Sequence, residues 1–192
     1  MGLFGCLNAQ TTRSTYIGLN IPPLLGNAVD LGIEFNLKPA FSVDIYSGYV
    51  FNSNLDSPIK VGTPYDLNKK SGFFLKLGAR YNFRNEINKF APLVGLNLVN
   101  SLAVEEGTYD ADFDDSTPNE PFAKNSYNLG LNGIIGLTTP SDKKLNMDIG
   151  IQVGALIVDN LIDFQSYMPG MGINYFSGIR LQGIVRIKYR LK

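Results

Sequence analysis

At 192 residues the chain is long enough for one domain with a full core and too short for two. Seventeen Lys plus Arg balance seventeen Asp plus Glu, so no net charge favours nucleic acid as a partner. The sequence has no His, which removes the Ser-His and Asp-His arrangements that activate a nucleophile or water, and its single Cys6 forms no internal disulfide.

In chain order, residues 1–11 read as the end of a secretory signal or a disordered N-terminus, with the cut after Ala9 or Gln10. Leu3-Phe4-Gly5-Cys6 also resembles a lipoprotein acylation site, from which Phe4 departs. No apolar run reaches the ~20 residues of a membrane-spanning helix, so any span must be made of strands. From Thr15 onward the chain alternates with period 2, the pattern of a strand whose two faces see different surroundings.

Eight segments carry that pattern. The first sets Thr15, Ile17, Leu19 and Ile21 against Tyr16, Gly18 and Asn20. The second sets Val29, Leu31, Ile33, Phe35 and Leu37 against Asp30, Gly32, Glu34 and Asn36. In the third, Phe41, Val43, Ile45, Tyr49 and Phe51 oppose Ser42, Asp44, Tyr46 and Gly48. The fourth pits Phe73, Leu75, Leu77, Ala79, Tyr81 and Phe83 against Phe74, Lys76, Gly78, Arg80 and Asn82. The fifth, with Val94, Leu96, Leu98 and Leu102 outward, is interrupted by Leu93 and Val99 on its polar face. Tyr127 to Leu137, Leu145 to Ile157 and Gly178 to Leu191 complete the set.

Most runs reach the ~9–11 residues of a tilted membrane strand. Tight turns at 38–39, 84–89 and 140–144 alternate with long connections at 52–71, 105–125 and 159–175, while 22–28 is shorter. That rhythm predicts an all-β, eight-stranded antiparallel up-and-down transmembrane barrel over 12–192, with short periplasmic turns, long extracellular loops and both termini periplasmic. The polar face decides which side is in. It carries Asp30, Glu34, Asp44 and Asp148 with Lys76, Arg80, Arg180 and Arg186, among Gly, Asn and Gln, a set suited to a crowded lumen of paired ions. Depth along the strands sets Asp44 beside Arg80, Asp148 beside Arg186, and Asp30 nearer Lys76 and Arg180. The apolar face then meets lipid. Phe41, Tyr81, Phe83 and Tyr189 form an inner aromatic girdle, and Tyr49, Phe51, Phe73 and Tyr127 an outer one.

From about Thr12 to Lys192 the chain resembles the small eight-stranded outer-membrane barrels typified by outer membrane proteins A and X. The stretch 31–49, with Gly32 and Glu34, a short turn at Lys38-Pro39, then Ser42 and Asp44, is similar to other barrel domains of this class. The resemblance implies residence in the bacterial outer membrane. Members often end on an aromatic residue, whereas here Leu191 and Lys192 follow Tyr189.

The chemistry of sites adds little. Asp110, Asp112 and Asp114 resemble the first half of a calcium loop, but Asp115 stands where that loop needs Gly and Pro121 where it needs Glu. A solvated acidic loop explains them as well. No cofactor is expected. The sequence therefore predicts a non-enzymatic barrel with a charge-plugged lumen, in contact with outer-membrane lipid. Loops 52–71, 105–125 and 159–175 would serve adhesion, protection, or docking with a membrane complex or an extracellular ligand. A narrow channel and, more distantly, a soluble ligand-binding barrel are the alternatives.

Overall fold

The structure is a computed structural model that describes residues 14–38, 40–52, 65–83, 90–109, 120–139, 144–161, 167–176 and 178–191. In chain order it contains β1 (Thr15–Asn20), a 3-10 turn η1 (Pro22–Gly26), β2 (Ala28–Lys38), β3 (Phe41–Val50), β4 (Tyr65–Asn82) and β5 (Ala91–Tyr109). Then come β6 (Glu120–Thr138), β7 (Leu145–Val158), β8 (Ile173–Phe176) and β9 (Ile179–Arg190). Each strand from β1 to β7 pairs antiparallel with the next, β7 pairs with β9, and β9 returns to β1. The result is an eight-stranded up-and-down barrel. The short β8 is a ninth strand hung on the free edge of β9 beyond the end of β1.

Stagger gives the barrel its tilt. Pairings followed from Ile17 run through Ile33, Ile45, Leu77, Leu98, Leu131 and Ala155 to Ile179, whereas Ile17 itself pairs on β9 with Tyr189. The ring thus closes with a shift of ten residues along β9.

Side chains divide across the wall as the alternation requires. Leu96, Ile135, Ile151 and Ile157 stand 53–65% exposed on the outside, in a surface of Leu, Ile, Val and aromatic residues that runs round the whole barrel. Such an area far exceeds the apolar patches water-soluble monomers tolerate, and it suits hydrocarbon. No helix among the described residues is long and apolar enough to cross a membrane. Tyr81 stacks edge-on against Phe83 at the short-turn end, and Tyr49 against Phe51 at the other, as the two girdles require. Leu93 and Val99, the residues that interrupt the fifth segment, are buried and face the lumen, each in its own apolar cluster.

Two departures from the sequence reading matter. First, β4, β5 and β6 are 18, 19 and 19 residues long, so much of what reads as loop in 52–71 and 105–125 is strand. β3 reaches only Gly72 on β4 and β7 only Leu129 on β6, so residues 65–71, 103–109 and 120–128 continue as a three-stranded extension past the rest of the wall. Its positions differ in burial: Ala103, Glu105 and Ser126 are buried, while Lys69 and Glu106, both about half exposed, pair at 2.7 Å. Donating that hydrogen bond raises the Lys69 pKa, so the lysine's share of the pair is lost as pH climbs through the raised value. Second, Tyr167 to Gly172, expected in a surface loop, are buried.

At Gly48 the wall comes too close for a side chain: a Cβ there would strike the Val29 carbonyl oxygen and sit 2.6 Å from Phe74 Cζ. Gly48→Ala is expected to destabilise the barrel by about 1–3 kcal/mol, measured as a lower urea midpoint in detergent.

Candidate functional site

The lumen is built in two storeys. In the inner one, β2 and β3 place Glu34 directly opposite Asp44, a like-charged pair that would repel alone. Arg80, from β4, resolves it. Its Nε pairs with Asp44, while Nη1 donates to Glu34 Oε2 at 3.2 Å and crosses the lumen to Asp148 Oδ2 at 2.9 Å. Lys188 of β9 reaches the same two acids, Glu34 at 3.0 Å and Asp148 at 2.9 Å. Arg80, Glu34, Lys188 and Asp148 thus form a closed ring of alternating charge, and Thr138 donates to Asp148 at 2.6 Å. All of these groups are almost fully buried, so each charge depends on its partners.

Arg186 lies elsewhere than expected. It is Asp148's cross-strand neighbour, yet its guanidinium stacks over the Tyr46 ring at 4.4 Å, and its three nitrogens have no hydrogen-bond partner. Asp148 turns across the lumen instead, because Arg80 and Lys188 meet it there at hydrogen-bond distance. Arg80 flanks the same Tyr46 ring at 5.6 Å. The cleft beside Arg186 and Asp148, walled by Leu93, Ile134, Ile149 and Ile184, is too narrow to admit a water molecule.

Above the ring, Lys76 pairs with Asp30 at 2.8 Å, and Asn20 donates to the same carboxylate. Lys76 also lies 4.9 Å from the Phe74 ring centre. Gln182 and Gln152 join this tier to the outer storey: Gln152 donates to Gln182 Oε1 at 2.6 Å and to the Gly170 carbonyl at 2.9 Å, and Gln182 donates to the Tyr167 hydroxyl at 3.1 Å. Arg180, next to Gly154 in register, is buried in the outer part of the lumen.

Apolar clusters hold the plug in the outer storey. Ala28 and Val50 meet Tyr167, and Val99 meets Met168 and Met171. Residues 167–172 fold inward as a plug, closed on themselves by Met168 and Gly172, whose backbones exchange two hydrogen bonds. Gly170 (φ +81°) and Gly172 (φ +99°) hold the left-handed conformations this tight fold needs.

Of the residues expected to pair inside, Asp30, Glu34, Asp44, Asp148, Lys76 and Arg80 are brought into ion pairs, while Arg186 is held by an aromatic ring. Lys188, Tyr46 and the plug were missed. The possible metal ligands Asp110, Asp112 and Asp114 lie outside the described residues, and among the described residues no acidic or sulfur cluster could hold a metal. Glu105 and Glu106, within the expected loop 105–125, lie on β5.

No protein-family model matches the sequence, and no curated protein matches it. Among solved structures the chain is similar to the crystal structure of Neisserial surface protein A, at 10% identity and a TM-score of 0.47, over 92% of this chain and 93% of that one.

Proposed function

We propose that the protein is a non-enzymatic outer-membrane barrel that anchors extracellular structure in the bilayer, with its termini and short turns periplasmic. The observation that carries this reading is the blocked lumen: an ion-pair ring fills the inner storey and residues 167–172 the outer one. A barrel closed at two levels is a scaffold before it is a conduit. Its extracellular side would then carry the partner contacts, through the β4–β6 extension and the loops beside it, to a membrane complex or a surface ligand.

Partnerless nitrogens on Arg186 favour one second reading, a narrow water-lined channel. Planar-bilayer recording separates the two. The scaffold reading expects the purified protein to sit in the outer-membrane fraction, resist carbonate extraction, and give no unitary current steps. Steady steps at fixed conductance would replace it with the channel.

A further inference from the structure

Charge outside the lumen is divided between the two ends of the barrel. Strand connectivity assigns residues 1–14, 38–40, 83–90, 139–144 and 190–192 to the end that carries the chain termini and the tight turns. These segments hold eight Lys or Arg against two acids, Glu86 and Asp142. The segments at the opposite end, 21–27, 51–71, 103–126 and 157–178, hold four bases against eleven acids. A chain with no net charge is thus strongly basic at one end and strongly acidic at the other.

What flanks the basic residues fixes their depth. Lys38 follows Leu37, Arg84 follows Phe83, Lys144 precedes Leu145, and Arg190 lies between Tyr189 and Leu191. Those apolar neighbours are 45–62% exposed on the outer wall, at or beside the inner aromatic girdle. Lys38 and Lys144 are themselves exposed, and the Arg190 amide donates to the Lys144 carbonyl at 2.8 Å, which ties the start of β7 and the end of β9 into one rim. Long cationic side chains next to an aromatic girdle lay their methylenes along the apolar wall and carry the charge out to headgroup level. The acidic end would be repelled by the same anionic surface that attracts this rim.

We propose that the basic rim is a binding surface for anionic glycerophospholipid, with Lys38, Lys144 and Arg190 on the lipid phosphates of the periplasmic leaflet. The inference rests on the outer-membrane reading above, and adds to it the class of lipid and the end of the barrel that holds it. A rim of this kind selects headgroup charge, and loses that selectivity as salt screens the phosphates.

The test uses the full chain folded in phosphatidylcholine vesicles, with spin-labelled phosphatidylglycerol or spin-labelled phosphatidylcholine as the probe and the motionally restricted fraction of each as the readout. The expected result is a preference of about threefold or more for phosphatidylglycerol at low salt, falling close to parity at about 1 M NaCl. Lys38→Gln/Lys144→Gln should lower the preference about twofold, whereas Lys69→Gln/Lys124→Gln, at the acidic end, should not lower it. Folding of each variant is checked by heat-modifiable migration on gels, and the salt series on the unmodified protein decides if a variant misfolds. A preference that survives salt, or one that Lys38→Gln/Lys144→Gln leaves intact in folded protein, would overturn the rim as a phospholipid site. Equal restriction of the two probes would overturn it too, and would leave the rim to an acidic periplasmic partner. Absence of any restricted component with either probe would overturn the membrane reading itself and the rim with it, so the two failures are distinguishable.

Discussion

Arg80→Ala is expected to unfold the barrel at markedly lower urea than the parent, with a loss of about 3–5 kcal/mol, because it strands buried carboxylates. Asp44 loses the side-chain cation beside it, while Glu34 and Asp148 retain Lys188. Asp44→Ala alone should cost less, since Arg80 keeps two partners. The double change should cost less than the sum of the two, the signature of a direct pair in a mutant cycle. Leu77→Ala, one strand step from Lys76 but 43% exposed on the outer face, should leave the ion network intact. Additive losses at Asp44 and Arg80 in lipid would show that the two do not act together.

The second large effect separates neighbours that point in opposite directions. Phe74 is buried against Gly48, Gly170 and Lys76, at the junction of the two storeys; Phe73, next in the chain, is 47% exposed. Phe74→Ala should cost about 3–5 kcal/mol through the cavity it leaves. Phe73→Ala should cost much less, because lipid or detergent closes over the site. Equilibrium unfolding of the two variants gives the ratio directly, and equal losses would place both side chains in similar surroundings.

How much of this was legible depended on whether two faces of a strand differ. In the membrane-facing part they do, so Ile33 against Glu34, or Leu77 against Lys76, fixes register and face at once. In the β4–β6 extension the apolar contrast is missing, because buried positions such as Glu105, Ser126 and Asn128 are as polar as their exposed neighbours. Lys69, Glu106, Lys124 and Asn125 show no alternation, and strands paired by charge and backbone read as loops. The plug was hidden for another reason: Tyr167-Met-Pro-Gly-Met-Gly has neither period, and its Pro and Gly signal turns without saying that the turn is packed inside. Individual ion pairs lie beyond sequence reading as well. Depth on adjacent strands sets Asp148 by Arg186, but its partners are Lys188, one step along the same strand, and Arg80 from across the lumen, and which side chains meet there depends on the ring's ten-residue offset.

The central claim is that the apolar face of the strands looks into lipid and the charged, plugged face looks inward. The chain contains no Trp, so one introduced Trp reports its own surroundings without background. Leu98→Trp and Val99→Trp place that reporter on consecutive residues of β5, the first on the outer face and the second in the lumen, where Val99 is fully buried. Reconstituted in vesicles of brominated phospholipid, the account predicts strong quenching of Trp fluorescence at position 98 and little at position 99. Quenching at 99 with protection at 98 would turn the barrel inside out and contradict it.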